Sequence, residues 1–238
     1  MAGIGKRMRP HTLTIPKPLI KIAGKPIVQR LVEEIHNMCN NFDNITDIGF
    51  IIGNFSKDTE KQLLNIAQSI GAKGHIYYQK TALGTAHAIS YADELLSGNV
   101  IVAFADTLFK ANFKISNDTD VTIWTKYIDD PSSFGVVKTD ENKNVTGFFE
   151  KPKSPISNLA IIGIYYIKEG ATLKKEIKYL LDNKIIKNGE YQLTDALENM
   201  LNNGLKFSVK EVDLWLDCGN KNATVDTNKI ILELEKSN

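Results

Sequence analysis

The sequence predicts a mixed α/β fold: a mainly parallel sheet with helices on both faces, followed by an inserted lobe of shorter strands. Three observations predict it. Short apolar runs alternate with amphipathic helical periods in the order β-α-β-α-β through the first half, a pattern that calls for crossover connections and a sheet buried on both faces. After Asp118 the apolar runs become shorter strands separated by polar turns. The 238 residues, 42% apolar and 24% charged, are ordinary for a globular chain and suffice for a large core.

The elements follow in order. Residues 48–52 form an apolar run closed by Gly53, as in a buried strand. Residues 57–70 place Leu63, Leu64, Ala67 and Ile70 on one helical face, with Ser56 as N-cap and Gly71 at the C-terminal end. Residues 75–79 read as a strand, 85–96 as a helix and 100–105 as a strand. Residues 121–126, 134–138 and 145–150 are shorter strands, the last two forming a hairpin about the turn 139–144. Residues 160–167 are a further strand, and 172–181, 193–201 and 223–235 are helices. The expectation is one domain over 1–238, with a Rossmann-like half to about 118, a second half over about 119–219 and a C-terminal helix over 220–238. Ligands are expected in a crevice at the carboxyl ends of the strands.

Composition excludes several classes. Lys and Arg number 29 against 28 Asp and Glu, a net charge of +1 that argues against a nucleic-acid partner. No apolar run approaches the ~20 residues of a membrane span. Cys39 and Cys218 stand alone without zinc spacing, and no signal-peptide core is read at the N-terminus, so a cytoplasmic location is expected. His11, His36, His75 and His87 lack ligand spacing.

The candidate site residues begin with Gly3, Gly5 and Arg7. Glycines let backbone N–H groups approach an anion, and Arg binds phosphate bidentately. Arg7 and Arg9 are two of the chain's three arginines. Pro16 and Pro18 restrict the backbone around Lys17 and fix where its ammonium stands. Asp106 ends the apolar run 100–105, and Asp217 follows Trp215 and Leu216. Each has a plain structural alternative: a basic surface turn, a strand-end cap, an exposed charge run at 150–153. Neither a dinucleotide fingerprint nor a P-loop is present.

The segment GxGxRxRP, followed by Thr14-Ile15-Pro16-Lys17-Pro18-Leu19 and Ala23-Gly24-Lys25-Pro26, resembles the sugar-1-phosphate nucleotidyltransferases, with the glucose-1-phosphate thymidylyltransferase-like enzymes as nearest subgroup. Further stations keep the family's order: Gln79 to Ala86, Ala105-Asp106, Phe134-Gly135, Glu150-Lys151-Pro152, Gly163-Ile164-Tyr165, Glu190 to Asp195 and Trp215 to Gly219. The resemblance implies the nucleotide-diphospho-sugar transferase fold and a reaction joining an NTP (dTTP or UTP) to a sugar 1-phosphate (glucose 1-phosphate), with release of pyrophosphate. It implies Mg²⁺ held by Asp106 and Asp217, and a homo-oligomer. Arg7, Lys17 and Asp106 are the implied catalytic group. Gly3, Gly5, Arg7, Gln79, Gly84 and Thr85 are implied to hold the nucleotide. Gly135, Glu150, Lys151 and Gly163 are implied to hold the sugar phosphate, with Glu190 and Asp195 on the same side. The family's apolar strand ahead of the glycine loop is expected to be missing, since only Met1 and Ala2 precede Gly3. A noncatalytic nucleotide-sugar-binding subunit or an inactive fragment on the same fold is the alternative.

Overall fold

The computed structural model describes residues 16–39, 42–113, 115, 118–152, 154 and 156–236. The glycine loop with Gly3, Gly5 and Arg7, and the stretch ahead of it where the family's strand is expected to be missing, lie outside the described residues. In chain order the elements are β1 (Lys21–Ile22), β2 (Lys25–Pro26), α1 (Ile27–Cys39), β3 (Asp47–Ile52), α2 (Lys57–Ser69), β4 (Lys73–Tyr78), α3 (Thr85–Ile89), β5 (Val100–Ala103) and β6 (Thr107–Lys110). There follow β7 (Val121–Tyr127), β8 (Gly135–Thr139), β9 (Val145–Glu150), β10 (Leu159–Ile167), α4 (Gly170–Asp182), α5 (Leu193–Asn202), β11 (Phe207–Glu211), β12 (Leu214–Asp217) and α6 (Lys221–Lys236). They fall into two compact units, each assembled from separate stretches of chain.

The first unit takes Met1–Lys80, Phe104–Lys114 and Leu214–Asn238. Here β3 and β4 pair in parallel, with Asp47 opposite Lys73 and Ile52 opposite Tyr78. Helix α2 makes the crossover, and the Ser56 hydroxyl accepts the Thr59 N–H at its start. Helix α1 buries Ile27, Val28, Leu31, Val32, Ile35 and Cys39, a three-and-four spacing that makes one apolar stripe. This helix is not among the elements expected from the sequence. Val28 and Val32 of α1, Phe50 and Ile52 of β3, and Leu63, Ile66 and Ala67 of α2 share one core. Gly74 permits the close approach of β4 to α2: a Cβ there would stand 2.9 Å from Leu64 Cδ2 and 3.1 Å from Ala67 Cβ. The unit is completed by the antiparallel pair of β6 and β12.

The second unit takes Thr81–Ala103 and Ile115–Asp213. Its sheet runs β11-β7-β10-β8-β9, with β5 also on β10. The β7–β11 pair is parallel and the others are antiparallel. Eight of the nine residues of β10 are buried, so this strand forms the middle of the unit. Tyr166 of β10, Ile123 and Trp124 of β7, and Leu173 and Ile177 of α4 are among its fully buried side chains. Helix α5 packs on α4 and on β9. The β8–β9 hairpin is fixed by Asp140, whose Oδ1 accepts the N–H groups of Asn142 and Asn144.

The chain is thus a mixed α/β fold, with the strands and helices at or within a few residues of their expected positions. Three details differ. The helix expected over 85–96 is α-helical only to Ile89 and then tightens to a 3₁₀ turn, where Ala92 leaves helical geometry at φ −107°. The strand expected to reach 105 ends at Ala103, leaving Asp106 in a turn. The parallel pairing expected of the first half is seen in β3–β4, whereas the partner described for β5 is β10, antiparallel. No helix among the described residues is long and apolar enough to cross a membrane.

Because Gly74 is hemmed in by α2, Gly74→Val should lower stability by about 1–3 kcal/mol, as overpacking does. Urea unfolding measures this; an unchanged midpoint would show that α2 yields freely.

Candidate functional site

Lys17 lies in a 3₁₀ turn, Lys17–Leu19, between the two prolines that fix its backbone. Its ammonium donates to Asp106 Oδ2 at 2.6 Å, and the lysine side chain is only 12% exposed. Asp106 sits in the turn ahead of β6, and Asp217 ends β12. The antiparallel register sets Asp217 opposite Thr107 and Leu216 opposite Leu108. Beyond it the Cys218 N–H donates to the Asp106 carbonyl at 2.8 Å. Two carboxylates 111 positions apart in the chain are therefore carried at the same end of one two-stranded ribbon.

The ribbon is held from both sides. Leu108, Phe109 and Leu216 are buried. The Trp215 indole N–H donates to Thr107 Oγ1 at 2.7 Å, and the Thr227 hydroxyl of α6 donates to the Asp217 carbonyl. The Thr107–Trp215 bond has no signature in the sequence, because its partners lie 108 residues apart. Burial pushes the Cys218 thiol up to about 12; the Thr227 hydrogen bond works against this, and the Asp217 and Asp106 charges add to it. Lys17 acts on the same thiol in the opposite direction, so all three charged groups are felt at one point.

The donor set suits Mg²⁺, which prefers oxygen ligands and is commonly held by one or two carboxylates completed by substrate phosphates. Among the described residues no group of three or more His, Cys, Asp or Glu gathers at a metal-binding spacing. A two-carboxylate seat needs no third, and Asp106 and Asp217 fit it.

The remaining first-unit candidate, Gln79, is buried just beyond β4, its N–H donating to the Ile52 carbonyl. In the second unit the Gly84–Thr85 station and the 190–195 station come together. Tyr191 N–H donates to the Leu83 carbonyl, Ala86 N–H to the Tyr191 carbonyl, and Leu193 N–H to Thr85 Oγ1. Gly84 has φ +110°, and a Cβ would stand 2.4 Å from the Tyr191 carbonyl oxygen. Only glycine passes there.

Gly135 and Glu150 are opposite each other in the β8–β9 register. A Cβ on Gly135 would lie 3.1 Å from Glu150 Oε2, so the glycine leaves room for the carboxylate. Lys151 turns into the left-handed region at φ +44°, and its ammonium stands 3.6 Å from Glu150 Oε1. Gly163, at φ +83°, lies where the β10–β7 register shifts between Ile161 and Tyr165. Burial raises the Tyr165 phenol far above its ordinary value, and the Glu150 charge adds to this.

Glu150 and Lys151 line a cavity of about 420 Å³ together with Phe148, Ile156, Lys187 and Asp195. Asp195 is buried and accepts from Lys187 through Oδ1 at 2.5 Å, a bond that raises the lysine's pKa. Its Oδ2 is buried and has no hydrogen-bond partner among the described residues. Glu190 accepts from the Gln192 side-chain amide beside this cavity.

The profile of the nucleotidyl transferase family matches residues 1–233. The chain belongs to this family. Among its relatives, the low-salt glycan biosynthesis nucleotidyltransferase Agl11 of Haloferax volcanii is 30% identical over 240 residues, covering 97% of this chain and 64% of that protein. A glucose-1-phosphate thymidylyltransferase of Streptomyces antibioticus is 28% identical over 241 residues, again covering 97% of this chain and 64% of that protein. The chain thus spans less than two thirds of these relatives' length. Of solved structures, a UDP-glucose pyrophosphorylase complexed with UDP-glucose superposes with a TM-score of 0.76 at 23% identity, covering 98% of this chain and 96% of that one. That likeness establishes the nucleotidyltransferase fold.

Both cysteines are buried, and burial, with the Asp43 charge, pushes Cys39 up to about 11. Neither thiol should react with a disulfide reagent at pH 8 in the native protein, and both should titrate in guanidinium. A rapid native reaction of one thiol would contradict the packing around the ribbon or around α1.

Proposed function

We propose that this chain transfers a nucleotidyl group from dTTP or UTP to a sugar 1-phosphate, with glucose 1-phosphate as acceptor, Mg²⁺ as cofactor and pyrophosphate as second product. It would do so as a single catalytic domain of a cytoplasmic homo-oligomer. The observation that carries the reading is the meeting of Lys17, Asp106 and Asp217 at one end of the β6–β12 ribbon. The printed names of the relatives support the substrate class.

In the proposed reaction a phosphate oxygen of the sugar 1-phosphate attacks the α-phosphorus of the NTP in line. The new P–O bond forms as the bond from the α-phosphorus to the bridging oxygen breaks, and the electron pair leaves with pyrophosphate. The nucleophile is already an anion, so the protein needs no strong general base; positioning and charge neutralisation carry the rate. Lys17 leaves its contact with Asp106 to place its ammonium against the reacting phosphates. Arg7 grips the departing pyrophosphate with its planar fork, assisted by the Gly3 and Gly5 backbone. Asp106 and Asp217 would hold Mg²⁺, which when bound neutralises phosphate charge. Gln79, Gly84 and Thr85 address the nucleotide. Glu150 accepts from sugar hydroxyls, Lys151 pairs with the sugar phosphate, Gly135 and Gly163 keep the pocket open, and Asp195 Oδ2 is a further acceptor on that side.

Purified protein incubated with Mg²⁺, each NTP and a panel of sugar 1-phosphates should release pyrophosphate fastest with dTTP or UTP and glucose 1-phosphate. Asp106→Asn and Asp217→Asn should each cut turnover by ~10²–10³ with unchanged melting. Lys151→Ala should raise the KM for sugar phosphate more than that for NTP. Absence of turnover with any pair would leave a binding protein on this fold, and full activity in both aspartate variants would remove the metal assignment.

A further inference from the structure

We infer that Gly219 is a positioning residue that aims the Asp217 carboxylate for divalent-cation binding. The inference rests on the metal role proposed above for Asp217. The Gly219 N–H donates to Asp217 Oδ1 at 2.8 Å, a charge-assisted bond that fixes the rotation of the carboxylate. A Cβ on Gly219 would stand 2.8 Å from Oδ1, 3.0 Å from Oδ2 and 3.3 Å from Cγ of the same aspartate. Among the described residues, the chain neighbours aside, these three are the nearest atoms to it.

The requirement for glycine here is not conformational. Gly219 is not among the glycines with positive φ, unlike Gly84, Gly163 or Gly204, so the backbone itself admits any residue. What the missing Cβ supplies is space for one carboxylate. The backbone on either side is tied down independently: Cys218 N–H to the Asp106 carbonyl, Thr227 Oγ1 to the Asp217 carbonyl, and Ala223 N–H to Asn220 Oδ1 at the start of α6. A methyl group at 219 would therefore turn the carboxylate, the one movable neighbour, and leave the ribbon in place.

The test measures Mn²⁺ alone, by the loss of its free electron-paramagnetic-resonance signal, on the full chain. Four proteins are compared: the parent, Gly219→Ala, Asp217→Asn and the double variant. We expect Gly219→Ala to melt with the parent, to bind Mn²⁺ about tenfold more weakly, as loss of a group orienting a metal ligand does, and to add nothing in the Asp217→Asn background. Parental Mn²⁺ affinity in Gly219→Ala, or an equal loss in both backgrounds, overturns the inference. Equal affinity in the parent and Asp217→Asn overturns the metal role of Asp217 and the inference with it. Should Gly219→Ala fail to fold, the Gly219 amide resonance decides. A large shift of that resonance between parent and Asp217→Asn supports the orienting bond, and an unmoved resonance overturns it.

Discussion

The pairing of β6 with β12 is the constraint on which the candidate catalytic site depends. Four residues of each strand form it, and they come from segments separated by the Ile115–Asp213 stretch of the second unit. Asp106 alone is a turn residue, and Asp217 alone is a strand end. Their shared location follows from burial of Leu108, Phe109 and Leu216, which selects one register, and from the Trp215–Thr107 bond that locks it. A slip of one residue would part Trp215 from Thr107 and Leu216 from Leu108, and would turn the following carboxylate to the other face. The ribbon thus converts apolar packing into the placement of charge, and Lys17, fixed by its prolines, supplies the ammonium that offsets Asp106.

A second theme joins the two units. In each, a glycine stands beside a carboxylate and leaves the space that a Cβ would fill: Gly135 beside Glu150, and Gly219 beside Asp217. The glycine at 84 acts differently, letting the 190–191 backbone pass so closely that loop 83–86 and the start of α5 become one hydrogen-bonded piece. Stations that stand far apart along the chain, Gly84–Thr85 and Glu190–Asp195, are in this way one structural feature.

Much of the fold was legible in the sequence, because apolar periodicity marks buried faces. The stripe of α2, the run of β3 and the long β10 all follow that rule, and the polar turn 139–144 marks the β8–β9 hairpin. Helix α1 carries an equally plain stripe from Ile27 to Ile35, yet no element was assigned there, since no N-cap residue marks its start after Pro26. Pairing was less legible than the strands. Nothing local tells β5 to take β10 as partner, or β6 to take β12, because register between distant segments is set by tertiary packing. For the site, the residue types at Lys17, Asp106, Asp217, Glu150 and Lys151 could be singled out from sequence. The bonds from Trp215 and Thr227 that hold the ribbon could not, as each joins groups brought together only by folding.

In the function proposed above, Lys17, Asp106 and Asp217 form one cation- and phosphate-binding centre assembled by the ribbon. Paramagnetic broadening of the ¹H–¹⁵N spectrum by substoichiometric Mn²⁺ tests it most directly. The amides of Asp106, Thr107, Asp217 and Cys218 should lose intensity together and first, and those of Leu19 and Ile20, beside the Lys17 turn, should follow. Broadening confined to one of the two strands, or first appearing at the acidic residues of α4 or α6, would contradict it.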